Sequence, residues 1–416
     1  MKSPFVLKQF LLIFFLGSFI SISRNPVPKY FRIEVNNKYG YIDKLGNEIV
    51  KPQFKRAQKY VYGNVFWARD FNQNYLLFNV DGTTISKDTF DHCSKQFTIN
   101  KWTVKKDDQY GIIDSTGQIL VPFEYEKLKT YRDGLIVATK KDKLGYIFEE
   151  TSEKFIPLPN QENYDYEYLG EFYFSFFDKK ENRYGIYNSR TGKIDVKAKH
   201  RKIGRVRYQQ VLLESFDKGK NKGIGIYDLR LKKFIVPPGE YIDIWIPANV
   251  SYLESSAIDQ MEEDSLFIGT KSEDGKTLVY YVINSQGKSF KVKGNLAPQG
   301  YNFWDSGFFG GIAVFKYKVQ NQVKIGIINP KGELLFAPKY DGVFGVSEQM
   351  ITISKNGLFG YINLSGNEII EPQFKKAGRF INGITYVKKE ILKDHEIIIE
   401  EGYINKEGNF VWKKPQ

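Results

Sequence analysis

Large apolar residues alternate with polar ones over short stretches of this chain, and each stretch then breaks at an Asp or Asn followed by Gly. Tyr39-Gly40-Tyr41-Ile42 has the period of two expected of a strand with one face buried. Asp43-Lys44-Leu45-Gly46 reads as a turn, because the Asp side chain can bond the backbone just ahead and Gly accepts a positive φ. A second strand is expected over Glu48 to Val50, ended by Pro52, which has no N–H to give to a ladder. Phe54 follows as a core residue. A bend containing Gly then leads to another strand, as in Gly134 to Ala138 or Gly383 to Val387. No segment has a helical period.

The pattern recurs. GNEIVKPQFKRA (Gly46 to Ala57) returns as GNEIIEPQFKKA (Gly366 to Ala377), with three changes in twelve positions. Aligned on the glycine of the first strand, copies fall at 40, 76, 111, 145, 185, 225, 281, 326, 360 and 402, with Leu76 and Tyr281 replacing the glycine. A period of about 40 residues marks a repeat architecture, in which a unit too small to bury its own apolar face is covered by its neighbours. The turn residues Asp43, Gly46, Asp114, Gly117, Asn329, Gly332, Asn363 and Gly366 are assigned a structural role. The strand glycines Gly40, Gly111 and Gly360 are expected to make room for an aromatic ring from a neighbouring strand.

These motifs resemble the WG (KWG) repeat, with Tyr, Phe, Leu or Ile where the family usually has Trp. The resemblance extends from Tyr30 to Trp412 and weakens between Thr151 and Gly300. It implies an all-β protein of tandem antiparallel β-hairpin repeats, and offers no catalytic motif to carry over. A propeller-like arrangement is the leading expectation, since the first and ninth copies are much alike although the ends of an open stack normally differ. Ten copies exceed the roughly four to eight blades usual in propellers, which keeps an open twisted ribbon as the alternative. Repeats are expected over residues 30–250 and 266–416, with an acidic excursion at 251–265 between them.

Composition adds an address. Lys2 and Lys8 lead into the apolar run Phe10 to Ile20, followed by Ser21 and Ser23, which predicts a signal peptide over residues 1–23. A retained N-terminal anchor is the alternative, and no later segment approaches the length of a membrane span. Aromatics make up 16% of the chain, enough for strand packing, and Cys93 is the single cysteine, so no intrachain disulfide can form. The formal charge of +13 favours anionic partners without locating a site.

Few residues invite chemistry. Asp91-His92-Cys93 brings reactive types together, yet on a strand His92 and Cys93 face opposite sides. His92, His200 and His395 are widely spaced, and Glu262-Glu263-Asp264 lacks the alternating ligands of a calcium loop, so neither metal nor cofactor is expected. The densest charge is Lys197, Lys199, Arg201, Lys202, Arg205 and Arg207, read as a docking strand for an anionic partner or as a solvated edge strand. The aromatic run Tyr164 to Phe177 is expected at interfaces between units.

The expected function is an exported, non-enzymatic interaction protein presenting loops from a β-repeat frame to an unknown protein or envelope polymer, with no nucleic acid. Two alternatives remain. One is a glycan- or peptide-acting enzyme with dispersed carboxylates in a central cleft. The other is an anionic-polymer binder.

Overall fold

The computed structural model describes residues 27–415 apart from 94–100, 132, 149–153, 216–222, 246–266, 273–274, 276–277, 293–307, 310–311, 320–321 and 330. The predicted signal peptide and most of the acidic excursion lie outside the described residues. Among the described residues there is no helix, and the strands form nine antiparallel sheets. The units are numbered here from one to ten by the glycine, or its replacement, in their central hairpin strand.

The ninth unit shows the plan. Gly342–Ser347, Met350–Lys355, Leu358–Asn363 and Glu368–Phe374 pair in chain order as a four-stranded meander. A two-residue turn at Glu348-Gln349 joins the first two strands, and both residues take positive φ. Asn36-Asn37, Asp107-Asp108, Lys141-Asp142 and Asp394-His395 do the same in their units. Such turns match the right-handed twist of the strands they connect.

The second connection is the Asp/Asn turn. Asp43 Oδ1 accepts from the backbone N–H of Leu45 and Asn47 at 2.8 and 2.9 Å, and Gly46 closes the bend at φ 90°. Asp114, Asn329 and Asn363 repeat this arrangement, with Gly117, Gly332 and Gly366 at positive φ. Burial tends to raise the pKa of Asp43 and Asp114, but the hydrogen bonds they accept outweigh it and the net shift is downward.

Three expectations need correcting. Pro52 does not end its strand: Glu48–Phe54 runs through it, and the pairing slips there, with Tyr41 opposite Val50 but Tyr39 opposite Phe54. The extra residues form a bulge on an outer strand, where a missing N–H is tolerated. That bulge explains Gly40 and Gly360. A Cβ on Gly360 would lie 2.6 Å from the Ile370 carbonyl oxygen and the Pro372 nitrogen, and Gly40 meets Val50 and Pro52 likewise. The obstacle there is backbone rather than an aromatic ring. At Gly111, Gly145 and Gly185 a ring does crowd the same space, from Phe123, Phe155 and Phe176, alongside a backbone carbonyl. Finally, Lys193–Ile203 is not an edge strand. It pairs with Arg183–Asn188 on one side and Gln210–Ser215 on the other, fusing units five and six into a seven-stranded sheet.

Among the described residues no sheet closes on itself, and the units cover one another face to face. Phe54, expected as a core residue, is buried with Tyr41 of its own unit against Phe66 and Phe78 of unit two. Leu77 of unit two packs with Trp102 and Val104 of unit three. Val121 and Tyr125 of unit three then meet Ile136 and Ile147 of unit four. The run Tyr164 to Phe177 supplies Phe174 and Phe176, which pack on Leu135 and Tyr146 of unit four. Val236 of unit six meets Tyr241 and Phe267 of unit seven, and Gly332 of unit eight lies on Lys291 and Val292 of unit seven. Tyr340 packs on Val346, and Phe374 on Phe380. Each buried aromatic contributes about 2–3 kcal/mol by removal from water, so these contacts and not the hairpins alone hold the array.

The same chemistry then joins the two ends. Ile381, Ile384 and Tyr403 of unit ten form one buried cluster with Phe31, Ile33 and Ile42 of unit one. The first and last sheets therefore pack against each other.

Candidate functional site

The seam between units ten and one forms a partly open cavity of about 550 Å³. Its walls come from Tyr30–Val35 and the short strand Tyr60–Val61 on one side, and from Lys376–Ala377 and Ile384–Lys393 on the other. The strand Tyr60–Val61 has an unusual origin. The chain leaves unit one at Phe54, starts unit two with Arg56–Ala57, then turns back to pair Tyr60 and Val61 with Phe31 and Tyr30. That return places Lys59 and Tyr60 in the seam.

Four cations line the cavity: Arg32, Lys59, Lys376 and Arg379. Lys59 and Lys376 are exposed, whereas Arg32 and Arg379 are half-buried. Arg32 donates to the Ala57 carbonyl at 2.8 Å and its guanidinium lies over the Tyr39 ring at 4.7 Å, which fixes its position. Lys59 lies over the ring of Tyr60. The Arg379 side chain runs along Gly345, whose φ of +140° and missing Cβ leave the space it needs. Among the described residues, Glu34 is the single carboxylate in the lining. Glu401, behind Tyr386, is paired with Lys414 at 2.9 Å. Ser347 also faces the cavity, and its Oγ is buried with no hydrogen-bond partner among the described residues.

Rings complete the lining. Phe31 meets Tyr60 and Tyr403 edge-on, and Tyr386 stands edge-on to Tyr403 while remaining 37% exposed. Burial and then the adjacent Glu401 push the Tyr386 phenol well above its ordinary value, so it stays protonated at neutral pH.

The basic stretch forms a different surface. Lys197, Lys199 and Arg201 point to solvent at alternate positions, with His200 buried between them. Pairing with the next strand slips between His200 and Lys202, and Lys202 is also exposed. Arg201 is shared with Glu214 at 3.3 Å. Arg205 is exposed, but Arg207 is half-buried, and burial lowers its pKa. Lys197, Lys199, Arg201, Lys202 and Arg205 are thus solvated cations, and Arg207 is less exposed than they are.

His92 and Cys93 do face apart. His92 is exposed beside the Tyr75 ring, and Cys93 is buried with its thiol pKa pushed well above normal, which leaves little thiolate. Among the described residues no cluster of His, Cys, Asp or Glu has the geometry to hold a metal ion, and Glu262-Glu263-Asp264 lies outside them. No helix among the described residues is long and apolar enough to cross a membrane.

The family described as WG containing repeat matches residues 39–83, 110–143, 325–359 and 359–390. The chain carries WG repeats. The matched stretches fall in units one to three, in units eight and nine, and at the start of unit ten. No curated protein matches the chain. Among solved structures, Porphyromonas gingivalis dipeptidyl peptidase 4 aligns over 76% of this chain and 52% of its own, with 11% identity and a TM-score of 0.39. Pyrococcus horikoshii acylaminoacyl peptidase aligns over 69% and 52%, with 13% identity and a TM-score of 0.28. Kluyveromyces lactis Hsv2 aligns over 82% and 94%, with 10% identity and a TM-score of 0.26. The WG-repeat chain spans about half the length of the two peptidases, and at these scores no shared fold or chemistry is established.

Proposed function

We propose that this WG-repeat chain is an exported, non-enzymatic binding protein whose ligand site is the cavity between its last and first units. One observation carries the reading: a concavity of about 550 Å³ lined by rings and a few convergent polar groups, the usual make-up of a ligand pocket. Hydrolysis by a carboxylate pair needs two acidic groups facing each other across roughly 5 to 10 Å, and among the described residues this lining offers Glu34 alone. The Asp and Asn residues of the repeats are occupied as turn acceptors. Export rests on the charged and apolar pattern of residues 1–23.

Two measurements test the proposal. Residues 1–29 fused ahead of alkaline phosphatase, an enzyme active only outside the cytoplasm, are expected to give phosphatase activity in intact cells. The purified full chain, incubated with glycan and peptide panels, is expected to release no product. Product formation abolished by Glu34→Gln overturns the non-enzymatic reading.

A further inference from the structure

We infer that the seam cavity binds an anionic small molecule through a phosphate or carboxylate group, with the tyrosine rings covering the uncharged remainder. This inference rests on the proposed binding role of the same cavity and names the chemistry of its ligand.

The charge balance is the first ground. Arg32, Lys59, Lys376 and Arg379 face one cavity in which, among the described residues, Glu34 is the single lining carboxylate. Of the acids beside it, Glu401 bonds Tyr386 and pairs with Lys414 at 2.9 Å, and Glu348 pairs with Lys406 at 3.2 Å. Cations held on low-dielectric walls focus their field into the cleft and raise the local concentration of anions. The second ground is Ser347. Its buried hydroxyl makes no hydrogen bond among the described residues, which costs free energy that a ligand oxygen reaching it would remove. The third is shape. At about 550 Å³ the cavity is far larger than a lone phosphate, and Tyr39, Tyr60 and Tyr386 border the remaining space with apolar ring surface. Hydroxyl, guanidinium and ammonium groups are all donors to an oxyanion, and arginine is suited to holding two of its oxygens at once.

The basic strand Lys193–Ile203 is the rival anion site, and the solvent exposure of its cations predicts weaker, more salt-sensitive contacts.

The test is calorimetric titration of the full chain with pyrophosphate, glucose 6-phosphate, galacturonate and uncharged galactose. At least one anionic probe should bind saturably with one site per chain, and galactose should not. Which anion binds separates phosphate from carboxylate recognition. Lys376→Gln with Arg379→Gln should weaken that probe by about tenfold or more, the loss expected for charge-assisted hydrogen bonds. Lys59→Gln with Lys376→Gln, both at exposed positions, repeats the test if the Arg379 change disturbs packing against Gly345. Ser347→Ala should weaken binding while leaving the melting temperature unchanged or raised. Arg201→Gln with Lys202→Gln should leave binding intact. Failure of every anionic probe at millimolar concentration, equal binding of galactose, or binding that depends on Arg201 and Lys202 instead of the seam cations overturns the inference. The non-enzymatic reading fails separately, by product formation.

Discussion

The hydroxyl of Tyr403 donates to the carbonyl oxygen of Arg32 at 2.9 Å, joining residues 371 positions apart. Tyr403 follows the strand glycine of unit ten, as Tyr41, Tyr146 and Tyr361 follow theirs. Those three reach into the next unit in the same way, to the carbonyls of Gln58 at 2.7 Å, Ser189 at 3.1 Å and Gly378 at 2.9 Å. The turn glycines give a second parallel. Gly408 of unit ten lies against Ile370 of unit nine, Gly287 against Ile235, and Gly46 of unit one against Val411 of unit ten. Unit ten thus meets unit one by the contacts that successive units use elsewhere.

Removing these hydroxyls should therefore cost the same at the seam as within the array. Tyr403→Phe, Tyr41→Phe and Tyr361→Phe are each expected to destabilise by about 1 kcal/mol, the typical worth of one hydrogen bond. Chemical denaturation of the three variants measures it. A neutral Tyr403→Phe beside two destabilising partners would show that the seam is not a true interface.

Glycine replacements separate crowding from backbone conformation. Gly82 has φ 86° and nothing within 4 Å of an added Cβ, so Gly82→Ala should cost about 1–2 kcal/mol, the penalty for the left-handed region. Gly360→Ala forces a methyl onto the Ile370 carbonyl and Pro372 nitrogen, neither of which can swing away. Its expected cost is larger, about 3 kcal/mol or more, with the bulge lost. Equal melting temperatures for the two variants would contradict the assigned role of the bulge.

Acid stability follows from the turns. The folded pKa values of Asp43 and Asp114 lie below their unfolded values, so their contribution is present above the unfolded value of about 4 and disappears as pH falls through the lower folded value. Asn already fills the same position at Asn329 and Asn363. Asp43→Asn with Asp114→Asn should leave neutral-pH stability nearly unchanged and flatten its decline below about pH 4. Thermal melts from pH 7 to pH 2.5 give the comparison.

Charge reversal on the basic strand tests the polymer reading. Arg201→Glu, Lys202→Glu and Arg205→Glu together should shift elution from a heparin column to markedly lower salt, because each lost contact releases fewer counterions. Unchanged elution removes this strand as an anionic docking surface.

Much of the frame was legible in the sequence because its determinants are local. Period-two alternation at Tyr39 to Ile42 and the Asp43 to Gly46 turn specify a hairpin whatever surrounds it. The two-residue turns at Asn36-Asn37, Asp107-Asp108 and Glu348-Gln349 went unread, since pairs without Gly carry a weak signal even when both residues take positive φ. Pro52 misled for a related reason: its missing N–H does end a ladder, unless the strand is outermost and bulged, and only pairing reveals that. The seam cavity had no local signature at all. Arg32 and Lys59 lie far from Lys376 and Arg379 in the sequence, and the four become one site because the array's ends touch.

That meeting of the ends can be measured directly. Sheets stacked openly at about 10 Å spacing would hold the first and last of ten units roughly 90 Å apart. Spin labels at Leu45→Cys and Asn409→Cys, both exposed and flanking the Gly46–Val411 contact, report the separation, while buried Cys93 resists labelling. Pulsed dipolar spectroscopy should give one narrow distribution centred at about 25 Å or less, given the few residues and label arms between them. A broad distribution, or one beyond about 50 Å, would mean that units ten and one do not pack together.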